Sequence, residues 1–235
     1  MTSPVLKFAV LTFLLVAPSL GAGAAQPESA PDPALAPAFA FRVERGGTPI
    51  GTHQIRFSQD GDALHVDIDI QLEVRFGPIT LFRYEHHNRE VWRSGRLVSL
   101  DTETNDDGRR YSVSARASDA GLEVTSSAGG TFTAPADIIP TSYWNPATVS
   151  QTRLLDTQRG RIIDVAVTPV APREVLVDGG TVTAQEYEMS GDLNLRLLYS
   201  VKNEWLNVAF MARGSEVDYT IERLDRPLVQ EVASR

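Results

Sequence analysis

Leu64, Val66, Ile68, Ile70, Leu72, Val74 and Phe76 are apolar at every second position, and His65, Asp67, Asp69, Gln71, Glu73 and Arg75 fill the places between them. A strand sends successive side chains to opposite faces, so an unbroken period of two fixes one long strand with a dry face and a wet face. At roughly 3.3 Å per residue it runs about 40 Å. Strands of that length belong to curved antiparallel sheets that wrap around something. The expected fold is therefore all-β and mainly antiparallel, a highly curved sheet, half-barrel or barrel.

The rest of the chain fits that frame. Turn residues recur at Gly46-Gly47-Thr48-Pro49, Asp60-Gly61, Gly77-Pro78, Ser94-Gly95, Asp107-Gly108, Ala120-Gly121 and Gly129-Gly130. Consecutive hairpins are the natural reading, with strands predicted over 39–45, 50–58, 63–76, 79–92, 96–104, 109–117 and 121–127. A second set is predicted over 161–169, 173–178, 181–189, 193–201, 205–212 and 216–223. Between the sets, Asn145-Pro146 has the chemistry of a helix start, an amide oxygen that caps and a proline preset for the first turn. A helix of about 11 residues needs a sheet to dock on, and the expectation is one short helix packed on the concave side as a plug or lid.

Lys7, the apolar run Phe8–Leu20 and the small residues 21–25 have the layout of a secretory signal peptide, too short in its apolar part to span a bilayer. The expected organisation is a signal peptide over 1–25, a flexible Pro/Ala-rich linker over 26–38, one β-rich domain over 39–224 and a tail over 225–235. The expected location is the periplasm, with no membrane segment after cleavage. The chain has no cysteine, which excludes disulfides, thiol chemistry, cysteine metal sites and the lipidated cysteine of a bacterial lipoprotein. The formal charge is −8 and loses one more positive charge with Lys7, and arginines alternate with carboxylates, so nucleic acid is not an expected partner.

Few residues invite chemistry. His86 and His87 adjoin Glu85 and precede Glu90, but neighbours on a strand point to opposite faces and cannot share one ion. No metal or other cofactor is expected. His53 falls on the same face as Ile55 and Phe57, looking inward opposite Ile68, where a ring needs a polar partner. Asp67, Asp69 and Glu73 belong to the wet face. The acidic run Asp101 to Gly108 lacks calcium-loop spacing and is a solvated turn. No GxSxG, SxxK, P-loop or GxGxxG is present, so catalysis is not the leading expectation. Tyr143 and Trp144 at the expected helix entry, and Tyr199 and Trp205 around a short hairpin, either fill the core or line the mouth of a ligand cavity.

Phe41 to Phe57 (FRVERGGTPIGTHQIRF), Ser142 to Gly160 (SYWNPATVSQTRLLDTQRG) and Leu197 to Leu206 (LLYSVKNEWL) resemble an uncharacterised family of secreted proteobacterial proteins, a domain of unknown function. The resemblance spans about Phe39 to Leu224 and brings no catalytic residue with it. The architecture is also similar to the LolA and LolB lipoprotein carriers and related periplasmic half-barrels, which hold acyl chains, although the missing cysteine separates this chain from membrane-tethered LolB. The leading expectation is binding, without catalysis, of an apolar or amphipathic ligand such as a lipid or acyl group. His53, Tyr143, Trp144, Tyr199 and Trp205 are the candidate site. The alternatives are a cell-envelope protein-interaction module and, third, a barrel-mouth hydrolase or isomerase.

Overall fold

The computed structural model of the chain describes residues 38–177 and 179–225. The expected signal peptide, all of the expected linker except Ala38, and the tail after Asp225 lie outside the described residues. The strands are β1 (Phe39–Arg45), β2 (Thr48–Asp60), β3 (Ala63–Phe76), β4 (Ile79–Arg93), β5 (Arg96–Asp106), β6 (Arg109–Ser118), β7 (Gly121–Ser126) and β8 (Gly130–Ala134). They continue as β9 (Ile139–Pro140), β10 (Arg153–Leu155), β11 (Ile162–Pro169), β12 (Arg173–Val177), β13 (Gly180–Gly191), β14 (Leu195–Ser200), β15 (Trp205–Ala212) and β16 (Ser215–Leu224).

All of these strands belong to one sheet, in the order β8-β7-β6-β5-β4-β3-β2-β1-β16-β15-β14-β13-β11-β10-β9, with β12 also paired to β13. Every pairing is antiparallel except the short parallel contact of β9 with β10. Sequence and topology agree here for a local reason. Ser94-Gly95, Asp107-Gly108 and Arg213-Gly214 carry positive φ at both central residues, which the tight turn between right-twisted antiparallel strands requires. Among the described residues the two meanders pair through β1 and β16, the first and last described strands, whose register runs from Phe39 opposite Leu224 to Arg45 opposite Val217. The ends of the described chain are tied as well, Asp225 N–H donating to the Ala38 carbonyl.

The sheet curls around its dry face. The loop after β10 lies across the inner face of the first meander: the Thr102 hydroxyl donates to the Thr157 carbonyl at 2.7 Å, and the Ser126 hydroxyl to the Arg159 carbonyl at 2.6 Å. Residues distant in sequence thus fill one interior, in which Phe39, Phe41, Ile55, Leu100, Leu154, Leu155, Leu197 and Trp205 are fully buried.

The expected helix is not formed. Pro146–Ser150 makes a single 3-10 turn, started as anticipated by the Asn145 side chain, which accepts from the Ala147 N–H at 3.0 Å. Thr148 and Val149 within it and Thr152 after it are β-branched, and Arg153–Leu155 pairs with β11 instead, so a ladder of sheet hydrogen bonds outcompetes a marginal isolated helix. The short strands β8, β9 and β10 were also not anticipated.

Gly160 marks where the crossing loop touches the sheet. Its φ is +59°, and a Cβ there would meet Ser126 Cβ at 2.7 Å and Val113 Cγ1 at 2.9 Å. Gly160→Ala is expected to cost about 2–4 kcal/mol, combining left-handed strain with overpacking. Thermal unfolding should then move down by roughly 4–16 °C. An unchanged melting temperature would show that the loop does not bear on β6 and β7.

Candidate functional site

Register across β2, β3, β4 and β5 sets His53, Ile70, His86 and Thr104 in one row on the inner face. The β2–β3 turn consists of Gly61 and Asp62, with Asp60 opposite Ala63, so His53 faces inward opposite Ile70, and Ile68 faces Ile55. The next row on the same face runs Ile55, Ile68, Asn88 and Thr102, and the one after it Phe57, Val66, Glu90 and Leu100. Strand β4 therefore turns His86, Asn88 and Glu90 inward and His87 outward, where the His87 ring sits 2.7 Å from Asp69.

A cavity of about 490 Å³ opens over the first two rows. Ile50, Ile68, Ile70, Leu72, Val74, Leu81, Phe82, Ile163, Leu193, Phe210 and Val217 form its apolar walls. Its polar lining comes from His53, His86, Asn88, Tyr84, Tyr219 and the segments 141–143 and 156–158, and Arg45 and Arg213 stand among its lining as cations. Several of the polar groups are spoken for: the Tyr84 hydroxyl donates to Gln158 at 3.3 Å, His86 Nδ1 lies 2.8 Å from the Thr104 hydroxyl, and Asn88 donates to Glu90 at 2.8 Å.

His53 is different. It is 4 % exposed, and neither ring nitrogen has a hydrogen-bond partner. Aromatic rings surround it, Trp205 at 5.3 Å, Tyr219 at 5.7 Å and Phe41 at 5.9 Å between centroids. Burial pulls its pKa from 6.5 down to about 3, and His86 adds a push in the same direction. His86 is itself lowered to about 4, chiefly by burial and secondarily by His87. Both rings are neutral at pH 7, so His53 offers one donor and one acceptor to whatever enters. The amide oxygen of Asn88 is also without a partner on the cavity wall. Burial raises the phenols of Tyr84, Tyr143 and Tyr219, which stay protonated.

The structure places the five sequence candidates in three environments. His53 and Tyr143 line this cavity. Tyr199 and Trp205 lie behind it: the Tyr199 hydroxyl donates to the Tyr143 carbonyl at 2.6 Å, and the Trp205 ring packs 6.0 Å from that of Tyr143. That carbonyl bond holds Tyr143 at φ +62°, a conformation rarely adopted by a bulky side chain. Trp144 faces away, toward a second cavity of about 600 Å³ at the other end of the long strands. Its ring packs 5.3 Å from both Phe57 and Trp92.

Glu90 anchors this second cluster and had not been singled out. It is buried, and its oxygens accept from Asn88 at 2.8 Å, Trp92 Nε1 at 2.8 Å and Trp144 Nε1 at 3.0 Å. Burial raises its pKa, while those N–H donors pull the other way. Among the described residues no group of three His, Asp or Glu side chains is placed to hold a metal ion, and no helix is long and apolar enough to cross a membrane.

A family model described as a domain of unknown function, DUF6134, matches residues 41–222. The chain belongs to the DUF6134 family. No curated protein matches it. Among solved structures, it is similar to the crystal structure of a beta-barrel-like protein of the domain of unknown function DUF1849 from Brucella abortus. The TM-score is 0.54 and the identity 10 %, over 81 % of this chain and 98 % of that one. The DUF6134 chain thus shares a barrel-like sheet with a protein of very different sequence.

Two outcomes test the site of this DUF6134 chain. Both histidines have folded-state pKa values below 6.5, so the unfolded chain binds more protons than the folded one between about pH 4 and 6.5. Their contribution is complete above pH 6.5 and is lost as pH falls. Glu90, raised above 4.5, acts in the opposite sense, losing stability as pH rises through that region. His53→Phe leaves Glu90 in place and should flatten the slope of stability against pH by one proton in that window, read from urea midpoints; an unaltered slope would mean that His53 is not held neutral. Trp144→Phe keeps an aromatic side chain and removes the donor to Glu90. It should cost about 1–3 kcal/mol.

Proposed function

We propose that this protein binds, without chemical conversion, an amphipathic molecule whose alkyl or acyl chain occupies the cavity over β2–β4. The carrying observation is an apolar-walled space ending on a buried histidine with both nitrogens unpartnered. A buried polar group without a partner costs about 1–3 kcal/mol, and a guest with a carbonyl or hydroxyl inside its chain would recover that bond. The volume of about 490 Å³ falls in the usual range of small-molecule sites, roughly 300–1,000 Å³. Lys7 with the apolar run after it supports a place of action beyond the inner membrane. Nucleophilic chemistry has less support, since Thr104, the hydroxyl beside His86, is buried and not on the cavity wall.

A second reading, docking to an envelope protein, draws on one observation. Phe76, Ile79 and Leu81 at the β3–β4 turn are 74 %, 59 % and 57 % exposed, an apolar group of the kind that partners cover.

Binding can be read by native mass spectrometry of delipidated protein with saturated fatty acids and alcohols of graded length. One molecule per chain is expected, with Ile70→Trp, which fills the space between His53 and His86, weakening uptake by about tenfold or more. Failure of the wild-type chain to take up any member of the series would overturn this reading.

A further inference from the structure

The geometry points to an anionic head group on that ligand, a carboxylate or phosphate held at the cavity mouth by Arg45 and Arg213. This inference rests on the binding reading above and specifies the polar end of the guest.

Arg45 closes β1 and Arg213 occupies the β15–β16 turn, and both line the cavity. The Arg213 guanidinium lies 4.6 Å from the centre of the Phe82 ring on β4, so the side chain reaches from one wall of the cavity to the other. Arg45 Nη2 donates to the Arg213 carbonyl at 3.2 Å, which brings the Arg45 side chain to the turn that carries Arg213. Elsewhere on this acidic chain the surface arginines are commonly neutralised, as in Arg116 with Asp101 at 2.8 Å and Arg173 with Glu186 at 2.8 Å. Arg45 and Arg213 form no ion pair among the described residues. The carboxylate in the cavity lining, Asp156, is already committed, accepting from Arg161 Nε and from the backbone of Gln158 and Arg159.

The polarity of the cavity then sets the orientation of the guest. Its inner end offers a neutral imidazole and no lysine or arginine, so an ion carried there would be desolvated without a counter-charge. The mouth offers two partly hydrated guanidinium forks, whose donor geometry matches the oxygens of a carboxylate or phosphate. A chain lying inward and an oxyanion held at the arginines satisfies both ends.

The test compares dodecanoate, dodecyl phosphate and dodecanol by calorimetric titration against the wild-type protein and Arg45→Gln, Arg213→Gln and Arg213→Glu. At least one anion should bind the wild type about tenfold or more tightly than dodecanol, the scale of charge-assisted hydrogen bonds, and each glutamine variant should erase most of that preference, weakening the anion far more than dodecanol. Arg213→Glu takes the mouth from two positive charges to none in sum and should erase the preference more fully than Arg213→Gln, an effect that a merely structural arginine would not produce. Melting curves of the variants serve as the folding control, and Arg213→Lys, which retains the charge on the turn, should keep part of the preference. Equal binding of anion and alcohol by the wild type, or a preference that survives both glutamine substitutions, would overturn the anionic head group and leave the cavity reading standing. Absence of binding by every amphiphile would overturn the cavity reading itself, and this inference with it.

Discussion

The governing constraint is that a long curled sheet encloses more space than its own inward side chains can fill. The width of a barrel-like sheet grows with strand number, and beyond the smallest barrels the interior must be plugged or left open. This chain does both. The segment from Ile138 to Gly160 is laid across the inner face, its Trp144 and Thr157 bonded to side chains of β4 and β5, and it fills part of the interior. Beside it, with residues 141–143 and 156–158 of the same segment in its lining, lies the cavity of about 490 Å³ over His53 and His86. Site and fold therefore have one cause, the mismatch between a wide sheet and a short plug.

Polar residues on the inner face divide according to that plug. Where the segment lies against the sheet they are satisfied: Glu90 accepts from two indoles and an amide, and Thr102 and Ser126 donate to carbonyls of the crossing loop. On the cavity wall, His53 keeps two unpartnered nitrogens and Asn88 an unpartnered oxygen. Native interiors pair nearly all their polar groups, so unpartnered atoms on a cavity wall carry information about what else comes there. The electrostatics run along the same line, from neutral, desolvated imidazoles inside to two arginines at the outer end.

Much of the fold was legible because alternation is local. The long strand 63–76 and most hairpins of both meanders arise from a period of two interrupted by turn residues, and that pattern also turned His53 inward. Its cross-strand neighbour, Ile70 where Ile68 had been expected, depended on which two residues make the turn after Asp60. The central segment misled because Asn145-Pro146 starts a 3-10 turn with the same chemistry that starts an α-helix, and the fate of the residues beyond Ser150 is decided by pairing with β11. The inward polar row of β4 was hidden for a different reason. In RYEHHNRE both faces are polar, so periodicity assigns neither to the interior. A signal was present in the partner strand, since aligning β4 in a hairpin with the strongly amphipathic β3 brings His86, Asn88 and Glu90 beside Ile70, Ile68 and Val66.

The pairing of first and last strands also sets an order in time. Arg42 and Glu222 touch at 2.9 Å although 180 residues separate them. The hairpins of the first meander can close as soon as they leave the ribosome or a translocation pore, each needing only its neighbour. The outer edge of β1 cannot: its hydrogen-bonding groups face solvent until nearly the whole chain has emerged. Such distant contacts make folding slow, and an unpaired edge during the wait is a place where one chain joins another. The strand made last covers the edge exposed first, so a chain shortened by its final strand would keep most of its hairpins and lose the seam between its halves.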